Sequence, residues 1–295
     1  YGDTKLYYST DALVSHEWGN DAEAENLLAL DRPEDPECQA ISLDQFRQIR
    51  VTVDNYLSKR AWGDEGAFSS FNSVMLGWLR DTKKVYDGTT YNCYIGTVEG
   101  GSAKAEIEVD ATDAKVLAEA LANIMTEMTD YTRDFNDYKQ LRRYSEDEIK
   151  IVFNSKFINK IKNVDLPVIF DNAGLKATFS KKVLPARYFG VVNTTQKVAD
   201  AKTRSLVEQV IGGVHYFAGD VIATGATAPA GKSYQEDDKV VAKILVKLPP
   251  YMSAFETGTS FFNPRSLTEN HYLTFGHNTI EYLKAYPMVT VRAAA

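Results

Sequence analysis

Cysteine is scarce: the chain of 295 residues has two, Cys38 and Cys93, far apart and in no CxxC pair. That spacing indicates neither a zinc site nor a disulfide framework, and a reducing cytosol is the default setting. Basic charge is also short. The 33 Lys and Arg against 40 Asp and Glu give a formal net charge of −7 and a pI of about 5.3. A general nucleic-acid binder carries a basic excess or stripe. Here the doublets Arg142-Arg143 and Lys181-Lys182 are short and flanked by neutral or acidic residues. No apolar run approaches the roughly 18 residues of a membrane-spanning helix. GxSxG, HExxH and dinucleotide fingerprints are missing, as are internal repeats. Tyr1 opens the chain without Met and without a signal-like apolar region; processing, truncation and a leader all fit such a start.

What is present is core-forming material, 44% hydrophobic and 25% charged, in a length that suits one large or two ordinary domains. The stretch from Asp64 to Tyr86 organises it. Phe71, Val74, Met75, Trp78, Leu79, Val85 and Tyr86 fall on one helical stripe, the pattern of a helix lying on a sheet. Asp64 and Glu65 suit its N-terminal dipole, and Arg80, Lys83 and Lys84 the other end. Asp87-Gly88 is expected to stop it.

Before that helix, residues 1 to 40 are polar, broken by Pro33 and Pro36, and unusually aromatic: Tyr1, Tyr7, Tyr8 and Trp18. Such an arm needs something to pack on, its own domain or a neighbouring subunit. Ser42 and Gln45 could form a capping box. However, Ile41, Leu43, Ile49, Val51 and Val53 alternate with polar residues, which favours a long strand over about 40 to 54. A strand of that length with one polar side suits a projecting hairpin whose partner lies within residues 1 to 20.

Beyond the helix, Tyr91 to Val98 and Ala103 to Val109 read as a hairpin closed by Glu99-Gly100-Gly101-Ser102. Asp110 or Thr112 caps a helix to about Asp130, with Leu117, Leu121, Ile124 and Met128 on its buried face. Ile149, Ile151 and Phe153 form a short strand, and Asn154 caps a short helix carrying Phe157, Ile158 and Ile161. Lys239 to Leu248 alternates as a strand with Lys243 and Lys247 on its polar side. FETGTSFFNP, from Phe255 to Pro264, reads as irregular. Closing strands are expected around Tyr272 to Leu283 and Met288 to Arg292.

Three segments carry residues of a chemically active type. Ala226 to Ser233 (ATAPAGKS) fits a degenerate phosphate loop, which would make Lys232 and Ser233 nucleotide-binding. That chemistry needs a helix to open at Lys232-Ser233; YQEDD follows instead, with three carboxylates and a strand-like pattern. The one upstream strand ending in a magnesium-ligating residue, LPVIFD at Asp171, comes before the loop. His271 and His277 share a strand face but lie about 20 Å apart, too far for one metal ion; His16 and His215 lack ligand-like neighbours. Glu146-Asp147-Glu148 reads as a solvated turn before a strand. No cofactor is indicated.

The order of elements (aromatic arm, long hairpin, spine helix, α/β body, closing strands) resembles the major capsid proteins of tailed bacteriophages, whose fold is shared with encapsulin shells. The general texture is similar to capsid proteins of small short-tailed phages. The resemblance implies an α+β capsid fold. RQIRVTVDNYLSKRAW would be the descending E-loop strand, residues 64 to 86 the spine of a peripheral (P) domain, and IVFNSKFIN, from Ile151, part of an axial (A) domain. FETGTSFFNP would be a late loop at the P-domain edge. It implies an arm and E-loop over 1–62, a P domain over 63–108 and 236–286, and an A domain over 109–235 and 287–295. It further implies self-association into hexamers and pentamers of an icosahedral head, with scaffold, portal and packaged DNA as partners and no catalytic role or membrane. Trp18, Phe46 and Trp62 are the expected interface anchors, because contact energy concentrates in buried aromatics. An encapsulin-type compartment and a nucleotide-dependent enzyme using residues 226–233 are the alternatives.

Overall fold

Alternating β-branched residues make a strand when one face can be covered, and Glu37–Asp54 (β2) does so for 18 residues. Its odd-numbered residues, among them Gln39, Ile41, Gln45, Ile49 and Val53, turn inward, and its even-numbered ones face outward. The computed structural model describes residues 4–15, 30, 32–54, 65–111, 114–161, 180–192, 234–236, 239–278 and 281–294. The expected partner strand is Thr4–Ser9 (β1), antiparallel to β2 from Thr4 opposite Ser42 to Ser9 opposite Glu37. The rest of β2 pairs with Thr268–Asn278 (β10), which pairs in turn with Ser253–Asn263 (β9). β9 corrects the irregular segment expected over FETGTSFFNP. Gly258 and the polar residues there blur the period, and the ladder to β10 decides the conformation.

The helix over this sheet, Glu65–Thr97 (α1), has 33 residues, about 50 Å at 1.5 Å per residue. It runs through Asp87-Gly88, the expected stop, and through the residues expected to be a strand from Tyr91. Asp87 is tied in on two sides, by the Lys83 Nζ one turn earlier at 2.7 Å and by the Tyr251 hydroxyl. Past Gly88, Cys93 and Ile95 are buried in a second core with Val152, Leu184, Phe189, Leu245 and Met288. Burial of that half outweighs the roughly 1 kcal/mol that an interior glycine costs a helix.

The second sheet orders Glu106–Val109 (β3), Met288–Ala293 (β11), Val240–Leu245 (β8), Lys150–Asn154 (β4) and Ser180–Leu184 (β5). β3 runs parallel to β11, so the hairpin expected between it and residues 91–98 does not exist. Gly190–Val192 (β6) pairs with Tyr234–Glu236 (β7). Ala114–Thr129 (α2) covers one face of the five-stranded sheet through Leu117, Leu121, Ile124 and Met128, as its spacing predicts. Thr112, a candidate cap, lies outside the described residues. Asn154 does cap Ser155–Ile161 (α3), its Oδ1 accepting the Lys156 N–H at 3.0 Å.

The C-terminal half of α1 covers the sheet's other face, so β8 is buried on both sides. Lys243 is therefore 1% exposed, not on a solvated face. Its ammonium is held by the Val98 carbonyl at 2.8 Å and the Thr290 hydroxyl at 2.7 Å. Alternation implies solvent on one face only for a sheet covered on one side.

Two glycines of α1 respond oppositely to a methyl group. A Cβ on Gly88 meets nothing within 4 Å, whereas one on Gly96 meets the Tyr188 carbonyl oxygen at 2.0 Å. Gly88→Ala is expected to stabilise the chain by about 1 kcal/mol. Gly96→Ala is expected to destabilise it by about 1–3 kcal/mol through overpacking. Urea unfolding of both variants checks the pair; equal shifts would contradict the continuous helix.

Candidate functional site

The joint between α1 and the four-stranded sheet is partly polar. Leu79 and Tyr86 pack on Leu273 and Phe275, with Ile49 and Val51 of β2 beside them. Tyr86 meets the Phe275 ring edge-on at 5.5 Å between centroids, and the Arg47 guanidinium lies over it at 5.7 Å. His277 is buried at the end of this row. Its Nδ1 lies 2.9 Å from the Asn278 carbonyl oxygen, which can only accept, so Nδ1 carries the proton. Nε2 of the neutral ring then accepts from the Tyr86 hydroxyl at 3.0 Å. Asn278 closes the neighbouring turn, donating to the Pro250 carbonyl and accepting the Met252 N–H.

Burial lowers the His277 pKa below its ordinary 6.5, against an opposing hydrogen bond to the Asn278 carbonyl. Arg47 lowers it further, while Asp87 of α1 and Asp44 of β2 raise it; the Tyr251 ring lies 5.8 Å away. Tyr251 itself is pushed upward by burial and by the Asp87 carboxylate.

The base of the arm is pinned to the loop before Tyr144. The Asp11 carboxylate accepts the Leu141 N–H at 2.7 Å and pairs with Arg133, which holds its pKa below the usual carboxylate range. Arg142 donates to the Ser9 hydroxyl at 2.6 Å, and that hydroxyl also bonds Gln140.

Of the three expected anchors, Trp18 and Trp62 lie outside the described residues. Phe46 stands on the outward face of β2, 61% exposed. Its ring covers Gly276 on β10, where a Cβ would come within 3.0 Å of it. The anticipated helical stripe is divided. Leu79 and Tyr86 turn to the sheet, while Val74, Trp78 and Val85 face outward; the Phe71 side chain is outside the described residues. Trp78 and Val85, with Ile49 of β2, line an open apolar groove of about 350 Å³. A larger, polar cleft of about 870 Å³ opens on the opposite flank of α1, where Gly77 faces Gly258 and Ser260 of β9. Exposed Phe261, Phe262 and Leu267 at the β9–β10 turn complete the apolar surface.

Chemistry is sparse. Among the described residues no group of His, Cys, Asp and Glu could hold a metal ion, and no helix is long and apolar enough to cross a membrane. Cys93 is buried, which pushes its thiol up to about 12. Glu146–Glu148 is an exposed 3-10 turn. His271 sits 3.9 Å from Glu269, at the opposite end of β10 from His277. His16, Asp171, His215 and residues 226–233 lie outside the described residues. The residues after Ser233 form β7, a strand where phosphate binding requires a helix.

Because the folded pKa of His277 lies below its unfolded value, the unfolded chain takes up the proton first as pH falls. Its contribution to stability is full above about pH 6.5 and is lost as pH drops toward the lowered value. His277→Gln is expected to flatten the melting-temperature profile between about pH 7.5 and pH 5 relative to the parent. Parallel profiles would remove His277 as a contributor.

No family model matches the chain, and no curated protein matches it. Solved structures do. A chain of the capsid of Staphylococcus phage Andhra superposes with a TM-score of 0.66 at 12% identity, covering 100% of this chain and 81% of that one. A chain in the structure of the head fiber and inner core protein gp22 of native bacteriophage P68 gives 0.66 at 11% identity, covering 99% and 81%. The capsid of Ralstonia phage GP4 gives 0.52 at 8% identity, covering 100% and 84%. The two sheets bridged by α1 are thus the fold of the tailed-bacteriophage major capsid proteins.

Proposed function

We propose that the protein is a major capsid protein, a structural subunit that assembles with itself into hexamers and pentamers of an icosahedral phage head. The head encloses DNA, and the subunit has no catalytic role. The observation that carries this reading is the full-length likeness to phage capsid chains, from β1 to β11. The surface supports it. Exposed Leu6, Tyr8, Leu13, Val14 and Phe46 in the first 46 residues, and Trp78 and Val85 on α1, are apolar groups that one copy leaves to solvent. Apolar groups exposed in this way suit surfaces that a partner covers. The acidic balance suits a container wall, which should not hold packaged phosphates as a basic wall would.

In this assignment residues 1–62 form the arm and E-loop, and α1 is the spine helix. The P domain takes 63–108 and 236–286 and the A domain 109–235 and 287–295, so that β8 and most of β3 come from the P-domain ranges while β4, β5 and β11 of the same sheet come from the A-domain ranges. Trp18, Phe46 and Trp62 remain the proposed anchors of the arm. Scaffold, portal and DNA are the further partners, with assembly in the host cytoplasm and the virion as destination.

Light scattering and negative-stain electron microscopy of the purified chain at near-physiological salt test the proposal. Hollow particles, or rings of five and six, are expected, alone or with scaffold. A monomer that stays monomeric with scaffold present would overturn it. Replacing the connection between β1 and β2 by a short turn is expected to leave a folded monomer that no longer closes shells. Closed shells from that variant would remove the arm from the contact.

A further inference from the structure

We propose that the joint between α1 and the four-stranded sheet is a proton-operated catch: when His277 takes up a proton, the hydrogen bond between it and Tyr86 reverses, Thr90 accepts the Tyr86 hydroxyl, and the first half of α1 loosens from β10. The parts are buried together, His277 at 1% exposure and Thr90 at 0%. In the neutral arrangement His277 Nδ1–H donates to the Asn278 carbonyl at 2.9 Å, and Nε2 accepts from the Tyr86 hydroxyl at 3.0 Å. An imidazolium can only donate. Its Nε2 hydrogen then points at the Tyr86 oxygen, so that hydroxyl has to turn and direct its own hydrogen elsewhere. Thr90, one turn further along α1, supplies the place. Its Oγ1 is buried without a hydrogen-bond partner among the described residues, yet it lies near enough to Tyr86 to favour the ionised phenol. Buried hydroxyls without a partner are rare; this one is the acceptor that the reversed bond needs. One proton enters from solvent and none leaves, because burial holds the Tyr86 pKa above its ordinary value.

The surroundings make the new charge unwelcome. Arg47 of β2 opposes a second cation, while Asp44 of β2 and Asp87 of α1 favour one. Asp87 is already engaged by Lys83 at 2.7 Å and by the Tyr251 hydroxyl. The Lys83 ammonium lies 3.2 Å from the hydroxyl of Ser253, the β9 residue opposite His277, and 3.8 Å from Glu256. His271 and Glu269 stand at the far end of β10. Burial of the ring outweighs the favourable carboxylates, so proton uptake is linked to any opening that lets water reach His277. The sign follows. Above about pH 6.5 the ring is neutral and the catch is closed; as pH falls toward the lowered value the ring charges and the joint loosens. The loosening is confined to the first half of α1. The second half is packed in the separate core of Cys93 and Ile95, which has no histidine among its described residues.

Two readouts on the full chain test this, and neither depends on shell assembly. Proton NMR follows the titration of the 4 histidines, and His277→Gln identifies the His277 signal by its loss. Thr90→Val keeps the shape of the side chain and removes the acceptor. It is expected to leave the melting temperature at about pH 8 unchanged or higher and to weaken proton binding at His277 about threefold to tenfold. Thr90→Ser is expected to keep the parent value, a rescue that a merely structural role for Thr90 would not produce. Thr90→Ala takes the place of Thr90→Val if the branched side chain prevents folding. Amide exchange, corrected for its intrinsic pH dependence, is expected to quicken over residues 76–86 between about pH 7.5 and about pH 5.5 in the parent and not in His277→Gln, with residues 93–97 unchanged in both. A His277 midpoint that Thr90→Val and Thr90→Ala do not move overturns the relay. Acceleration that persists in His277→Gln, or its absence from the parent, overturns the catch.

Discussion

One helix has to satisfy two cores that meet it from different directions. The first half of α1 lies on the four-stranded sheet through Leu79 and Tyr86; the second half is enclosed among Cys93, Ile95, Tyr188 and Phe189 beside the five-stranded sheet. A single stripe cannot serve both, and the helix shows the division. Its first half leaves Val74, Trp78 and Val85 outside, while its second half is closely surrounded, down to the backbone contact of Gly96 with Tyr188. Helix stiffness then carries the geometry of one sheet to the other. A change that breaks α1 near Gly88 would uncouple two otherwise separate cores.

Polar groups reinforce the same bridge. Lys83 and Asp87 on α1, with Tyr251, Tyr86 and His277, form a connected set at the helix–sheet joint. The buried Lys243 ammonium ties β8 to the end of α1 at Val98 and to β11 at Thr290. Buried polar groups are costly unless paired, so these contacts fix one orientation of the helix where apolar packing would tolerate several. The interior is thus held by paired polar groups, while several apolar side chains stay on the outside.

The surface divides in a similar way. The outward face of β2 and β10 carries short polar contacts, Gln48 with Thr274 and Thr52 with Asn270, beside the exposed Phe46. Exposed apolar groups gather instead at the arm, the outer flank of α1 and the hairpin tip.

Local periodicity determined much of this protein. The period-2 alternation of Ile49, Val51 and Val53 defined β2, the 3.6 period of Leu117, Leu121, Ile124 and Met128 defined α2, and Asn154 marked a helix start by its own side-chain chemistry. The capsid fold was legible from the order of such elements. Phe46 could be placed on an outward face from the same alternation, since its neighbours Gln45 and Arg47 turn inward. Only the tertiary structure decided that α1 continues past Gly88, that β3 joins β11 in parallel, that residues 253–263 form a strand, and that Lys243 is buried. In each of these cases the local pattern was compatible with two conformations or two environments. The choice came from a partner distant in sequence, because burial on a second face and pairing across a ladder are properties of the assembled chain and leave no periodic trace in the segment itself.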